Sequence, residues 1–440
     1  MNAEEITQAI AEGQELLKQQ RFADALAAFE RALALDPKNA SLWSSRGIAL
    51  LCLRRPHEAV AAFEQALKVD QNDASAYHNL GNTLSLLGRH AEALYAYGRA
   101  VHLNPDQASS HVGRANALLR LRNEKEALAA AEQAIELDRN NVLAHRKKAE
   151  ALTRLRRFDR ALAAYSWVIR LAPNDAAAYV GKGNVFQHLD RHKEALEAYD
   201  KAMALDPRSP GIPFNKSRSL FKLERYEEAL AACERALALS NKYAIFHYRK
   251  GTILMRLKRY EEALAAFDEA IRLDPSKVEP RTGKGEALLA LKRYEEALEF
   301  SRETLQLEMR SHAAYIHQVR ALLGLKRYEE VLEVCKRVDG GDRLDFHGLG
   351  LYKGQALEAL KRYEEALEVY RHARHGGGTN WRGRDAEEYH RRAGRGYIRV
   401  LIRLGRYSEM LKMYREHREW RRYLRSRGLK RPGMDEEEEE

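Results

Sequence analysis

RYEEAL stands at residues 225–230, 259–264, 293–298 and 362–367, and the variant RFADAL stands at 21–26. Looser copies, RHAEAL at 89–94, RFDRAL at 157–162 and RHKEAL at 191–196, keep the arginine, the alanine and the leucine. Aligned by their alanine, the copies fall at Ala25, Ala59, Ala93, Ala127, Ala161, Ala195, Ala229, Ala263 and Ala297, each 34 residues after the last. Val331 and Ala366 continue the series at steps of 34 and 35, and Met410 holds the place in a degenerate final copy. A fixed period in this range marks a chain built from stacked copies of one supersecondary unit.

A second small residue lies twelve places before the alanine, at Gly13, Gly47, Gly81, Ala115, Ala149, Gly183, Ser217, Gly251, Gly285 and Gly354; Val319 alone departs. Four places after the alanine an aromatic recurs, at Phe29, Phe63, Tyr97, Tyr165, Tyr199, Phe267 and Tyr370, with Cys233 and Cys335 in that place in two copies. Three further on comes another alanine, at Ala32, Ala66, Ala100, Ala134, Ala202, Ala236 and Ala270. Each unit therefore holds two stretches of helical periodicity, about 13 residues apiece, separated by a short polar turn such as Leu-Lys-Arg. Small residues on both helices permit a close antiparallel approach, and the aromatic fills the space beside it. Pro37, Pro105, Pro173, Pro207 and Pro275 close units, because proline cannot continue a helix but suits the first turn of the next. One such pair cannot bury its own apolar face, so neighbours must stack.

This period and residue set resemble the tetratricopeptide repeat. Trp43 with Gly47, and Tyr77 with Leu80-Gly81, match the first-helix signature of that family. The resemblance covers residues 6–373 as eleven units, beginning near 6, 40, 74, 108, 142, 176, 210, 244, 278, 312 and 347, with a weak twelfth over 386–428. It implies an all-α fold, a right-handed α-solenoid of eleven to twelve antiparallel helix pairs whose first helices line a concave groove. The expected organisation is a repeat array over 1–373, a glycine-rich insertion loop at 374–385, a basic capping pair at 386–431 and a tail at 432–440. The tenth unit carries Val319 and Val331 at both close-contact places and is followed by Asp339-Gly340-Gly341-Asp342. Either its helix pair is splayed or compensating changes absorb the bulk.

Composition narrows the function classes. No run of about 18 apolar residues offers a membrane span, and the acidic, amphipathic start lacks the features of a secretory signal. The three cysteines, Cys52, Cys233 and Cys335, lie too far apart for a framework of bridges. A cytoplasmic protein is the expectation, and no cofactor is implied. Net charge is +11, but residues 371–431 alone carry +13 and Asp435 to Glu440 carry −6, so the repeat body is nearly balanced. The glycine-rich GGGTNWRGR at 376–384 does not match a phosphate-binding loop. His188 and His192 flank an inter-helix turn, and His372 and His375 close a unit; neither pair reads as a metal site. His111, His145 and His247 stand where other copies have Trp43 or Tyr77 and read as packing residues. Carboxylates follow solvent-facing helix surfaces, so no enzyme active site is legible.

If the first helices face inward, as the resemblance implies, the second, fifth, sixth, ninth, twelfth and thirteenth places of each unit line the groove. Units four to eight put Arg120, Arg146, Lys147, Arg154, Arg218, Lys222, Arg249 and Arg256 there, with Glu150 opposing them. Asn79, Asn82, Asn116, Asn184 and Asn215 share the lining. An amide can donate to and accept from an extended backbone, and the cations favour carboxylates or phosphates. The alternative is a solvated helix surface rich in cations. Some family members clamp a partner's C-terminal carboxylates; Asn184, Asn215 and Arg249 match three places of that clamp, but Val180 and Ile245 replace its lysines. The expected function is a non-catalytic adaptor for an extended, acidic protein segment. The other reading is nucleic-acid association through EWRRYLRSRGLKRP at 419–432, where arginines interleave with Trp420 and Tyr423. The acidic tail is either solvated or a competitor for the same cations.

Overall fold

The computed structural model describes residues 2–308, 311–339, 349–375 and 384–412. The breaker at Gly340-Gly341-Asp342, most of the glycine-rich insertion with Trp381, the basic stretch 419–432 and the tail 435–440 lie outside the described residues. Among the described residues there is no strand, and no helix is long and apolar enough to cross a membrane.

The chain divides into two compact units, Met1–Leu239 and Ser240–Glu440. The division falls at Ser240-Asn241-Lys242, where the Asp-Pro ending of several other repeats is missing. In the N-terminal unit lie α1 (Asn2–Lys18), α2 (Phe22–Leu35), α3 (Ala40–Cys52), α4 (Pro56–Val69), α5 (Ala74–Leu86), α6 (His90–Leu103) and α7 (Ala108–Arg120). It continues with α8 (Glu124–Leu137), α9 (Val142–Arg154), α10 (Phe158–Leu171), α11 (Ala176–His188), α12 (His192–Leu205), α13 (Gly211–Lys222) and α14 (Tyr226–Leu239). The C-terminal unit holds α15 (Ala244–Arg256), α16 (Tyr260–Leu273), α17 (Val278–Ala290), α18 (Tyr294–Leu307) and α19 (His312–Gly324). It is completed by α20 (Tyr328–Asp339), α21 (Gly350–Ala359), α22 (Tyr363–His375) and α23 (Arg384–Arg403). Within each unit every helix packs on the one before and the one after, so each is a stack of antiparallel pairs.

Local chemistry fixes both ends of each helix. Asn39, Asp73, Asn141 and Asp175 cap odd-numbered helices, each side-chain oxygen accepting the backbone N–H three residues on at 2.9–3.2 Å. Trp43, His111, His145 and His247 then donate a ring N–H to the carbonyl six residues back, at 2.8–3.0 Å. These residues do more than pack, because they tie the helix to the loop that precedes it. The turn from odd to even helix uses a residue in the left-handed region: Gln20, Arg54, Arg122, Arg156, Asp190, Glu224, Lys258, Lys292, Lys326 and Lys361 have φ of 55–61°. The N–H of Lys258 bonds to the Met255 carbonyl and that of Arg259 to the Leu254 carbonyl, at 3.2 and 2.9 Å, closing a Schellman motif. The arginine of RYEEAL opens the even helix and grips the glutamate three residues on, as Arg225 does Glu228 with two bonds of 2.7 Å.

The core explains the small-residue rule. A Cβ on Gly13, Gly47, Gly81, Gly183, Gly251 or Gly354 would sit 2.5–2.8 Å from the ring sixteen residues on, so the glycine accommodates the aromatic itself. In three repeats the glycine and the ring are lost together, Ala115 with Ala131, Ser217 with Cys233, and Val319 with Cys335, all buried; in the fifth repeat Ala149 stands opposite a retained ring, Tyr165. The same rings also meet a glycine one repeat later, Tyr97 against Gly113, Tyr165 against Gly181, Phe267 against Gly283 and Tyr370 against Gly396. In the ninth repeat Ser301 replaces the ring, and His317 from α19 occupies the space beside Gly285 instead. The pairs α17/α18 and α19/α20 run close together over less of their length than the other pairs. The tenth repeat is therefore both compensated, by Cys335, and splayed.

Candidate functional site

On an odd-numbered helix the fifth, sixth, ninth and thirteenth places fall on one face, and hydrogen bonds between consecutive odd helices set these faces side by side. In the N-terminal unit α5 and α7 are joined by a chain. Tyr97 donates its hydroxyl to Asn82 Oδ1 at 2.7 Å, and Asn82 Nδ2 lies 3.0 Å from His78 Nε2. His78 Nδ1 is 2.9 Å from Ser110 Oγ, which donates to Gln107 at 3.0 Å. The amide donates to Nε2, so the ring is neutral with its proton on Nδ1, donated to Ser110. Burial also pushes His78 below the usual histidine range. Asn79, Asn116 and the exposed Arg120 have no side-chain partner among the described residues.

On α9 the cations are internally spent. Glu150 accepts from Lys147 at 3.3 Å and from Arg154 at 2.8 Å, and Arg154 also donates to the Leu119 carbonyl. Arg146 pairs with Asp175 at 3.2 Å, so Glu150 is not the sole opposing carboxylate, contrary to expectation. Asp175 escapes a place-by-place reading because it is the cap of α11. Burial, with Glu150 nearby, pushes the Tyr165 hydroxyl up to about 12.

Between α11 and α13 the arrangement differs. Tyr199 donates to Asn184 Oδ1 at 2.7 Å, and Asn215 Nδ2 donates to the same oxygen at 3.2 Å. Gln187 Nε2 donates to the Asn215 carbonyl and to Ser219 Oγ, both at 2.8 Å. Burial raises the Tyr199 hydroxyl, and the charge of Arg218 works against that rise, which places the guanidinium close to this network. Arg218 and Lys222 are exposed and have no ion pair among the described residues. The structure places these residues on α11 and α13, and sequence reasoning missed that Asn82 and Asn184 each receive a buried tyrosine hydroxyl. It also missed His78, Gln187 and Ser219.

In the C-terminal unit Arg249 and Arg256 stand on α15. Ile245, also on α15, is half-exposed. The main polar cluster there was not foreseen. Glu286 on α17 accepts from Arg320 at 2.6 Å, with His317 Nε2 at 3.2 Å, both on α19. Burial alone would raise this carboxyl, but the bonds to His317 and Arg320 and their charges outweigh it and hold it at about 2. Not every carboxylate is a solvated face. The available signal was Ser301, which leaves the ring place of the ninth repeat empty for a side chain from α19. Cys233 and Cys335 are buried as expected, and Cys52 is exposed.

Family models described as tetratricopeptide repeat match residues 14–78, 74–107, 112–161, 146–210, 214–278 and 353–373, well over half of the chain in all. No curated protein matches it. Among solved structures, a tetratricopeptide repeat protein from Parabacteroides merdae is 15% identical, with 57% of this chain and 99% of that one covered and a TM-score of 0.48. A thermophilic TPR protein from Thermus thermophilus is 23% identical, covering 41% of this chain and 99% of that one, with a TM-score of 0.38. YrrB, described as a TPR protein with an unusual peptide-binding site, is 24% identical over 41% of this chain and 93% of its own, with a TM-score of 0.36.

Proposed function

This chain belongs to the tetratricopeptide repeat family, and we propose that it is a non-catalytic adaptor that holds an extended, acidic protein segment against the odd-numbered helices of its N-terminal unit. Repeats of this kind make protein–protein interaction scaffolds, and the described residues of both units are given over to them. The observation that carries the finer reading is the pairing state of the cations. Arg218 and Lys222 are exposed on the same helix as Asn215 and have no counter-ion among the described residues, whereas Arg146, Lys147 and Arg154 already hold carboxylates. A ligand carboxylate gains more from an unspent guanidinium than from one it must take from Glu150. Asn79, Asn116 and the remaining bonding capacity of Asn215 serve the ligand backbone, and Arg120 extends the charge along the same face.

The test is fluorescence anisotropy with a labelled decapeptide rich in Asp and Glu, with a single-stranded oligonucleotide as competitor. Arg218→Glu with Lys222→Glu is expected to weaken peptide binding at least tenfold while leaving the helical circular dichroism intact. Arg146→Glu is expected to weaken it less, since that side chain is already paired. Unchanged affinity in the double variant refutes this face as the site. Displacement by the oligonucleotide at lower concentration than by unlabelled peptide favours the nucleic-acid reading.

A further inference from the structure

The C-terminal unit contains an open cleft of 550 Å³ between the start of α20, the end of α21 and α23. Its floor is Glu358, only 13% exposed, which Arg399 grips with Nε and Nη2 at 3.1 and 3.0 Å. Arg403 stands 3.9 Å from the same carboxylate and donates to the Tyr363 hydroxyl at 3.3 Å. Lys361, held at φ 61° in the turn before α22, lines the cleft with no ion pair among the described residues. Tyr328 and Gln355 complete the wall.

The charges do not cancel. Three cations surround one carboxylate, leaving +2 on the lining. Glu358 orients Arg399 by a two-point grip, yet guanidinium N–H groups of both arginines remain for a further acceptor, since each carries five donors. A carboxylate ligand would neutralise half of the excess, whereas a phosphate monoester, close to a dianion at neutral pH, would neutralise all of it. The volume falls within the range of small-ligand pockets and exceeds what a bare phosphate fills, and two tyrosines flank the charges. We infer that this cleft binds a phosphate monoester carried on an aromatic or extended side chain, as in a phosphorylated segment of a protein partner. This site is separate from the face proposed above and lies wholly in the other unit.

The probe is phenyl phosphate, titrated calorimetrically into the full chain at pH 7.5, with benzenesulfonate as a monoanion of the same ring. Phenyl phosphate is expected to bind at least tenfold more tightly, and its affinity is expected to fall as pH drops below about 6, where the second phosphate proton returns. Lys361→Asn, which tolerates the left-handed backbone, and Arg403→Gln should each weaken it several-fold. Glu358→Gln removes the one opposing charge and should tighten it, an outcome that mere damage to the fold would not give. Absence of binding by the folded chain overturns the inference. So do equal affinity for the sulfonate, indifference to both cation variants, and weaker binding in a Glu358→Gln protein with unchanged circular dichroism.

Discussion

Two glycines in helices of the same unit should respond to alanine with opposite signs. At Gly183 on α11 a Cβ would lie 2.6, 2.9 and 3.0 Å from Cε1, Cζ and Cδ1 of Tyr199. Carbon contacts are favourable near 3.5–4.0 Å, so the ring must retreat by about 1 Å. It has little room: Tyr199 is fully buried among Phe186, Ala195, Ala202 and Ile212, and its hydroxyl is held by Asn184. Overpacking of this kind costs about 1–3 kcal/mol, and loss of the tyrosine hydrogen bond adds about 1. The better helix propensity of alanine returns about 1, so Gly183→Ala should destabilise by roughly 1–3 kcal/mol. At Gly98 on α6 nothing lies within 4 Å of an added Cβ, so only the propensity remains and alanine should stabilise by about 0.8–1 kcal/mol. Two-unit repeat proteins do not unfold in one step, so the suitable assay is native-state hydrogen exchange resolved by helix. Amides of α11 and α12 should exchange between about five- and a hundred-fold faster in Gly183→Ala, those of α1 and α2 unchanged, and those of α6 slower in Gly98→Ala. Same-sign effects at the two sites would refute the assignment of the close helix contact.

Lys258→Gly should stabilise the C-terminal unit by about 0.5–1 kcal/mol, read as a higher melting temperature, because glycine occupies the left-handed turn without the clash of a Cβ. Val319→Gly and Cys335→Phe should each destabilise alone, but the double variant should recover part of the loss, with a coupling of about 0.5–3 kcal/mol in a denaturation cycle. Acid should weaken the N-terminal unit through His78. Its folded pKa lies below the unfolded value of 6.5, so the unfolded chain takes up a proton first, and stability present above pH 6.5 is lost as pH falls through that window. His78→Ala should flatten the dependence of the melting temperature on pH between 7.5 and 5; an unchanged slope would exclude this ring.

The architecture was legible because the period and the packing are one thing. Expected unit starts at 40, 74, 108, 142 and 176 coincide with the first residues of α3, α5, α7, α9 and α11. The left-handed turn residue was not legible, since glycine marks it only at Gly88 and Gly405 and other residue types take it elsewhere. Groove residues could be placed on a face, but not sorted into spent and unspent, because sorting depends on neighbours 29 to 35 residues away, such as Asp175 for Arg146 and Leu119 for Arg154. One part of that sorting was available. Tyr97, Tyr165, Tyr199 and Tyr370 have Asn82, Glu150, Asn184 and Gln355 fifteen residues earlier, while Phe63 and Phe267 have Ile48 and Thr252. Polar side chains follow the phenolic hydroxyl, and Gln14 before Phe29 and Thr252 before Phe267 break the rule. Ser301 signals a vacant ring place in the ninth repeat, but that His317 of the tenth fills it requires knowing how two repeats sit against each other.

The rings that meet a glycine of the following repeat have a consequence for how such an array can change over generations. Tyr165 tolerates as its successor only a repeat with glycine at the sixth place, here Gly181, because a Cβ there would come within 2.3 Å of the ring. Ala131, with no ring to accommodate, is followed by Lys147 at that same place. Repeats are therefore not interchangeable beads but words with a grammar. Excising 34 residues keeps the reading frame and the helix count, yet beside a ring placed like Tyr165 it is neutral only where the next sixth place is glycine; Phe63 and Tyr199 are followed instead by Asn79 and Asn215. Removing residues 142–175 would bring Ala131 up to Gly181 and leave a void; moving that repeat to stand before one with lysine at the sixth place would force a clash. Duplication and loss of repeats in such an array are constrained by adjacency as well as by the content of any single repeat.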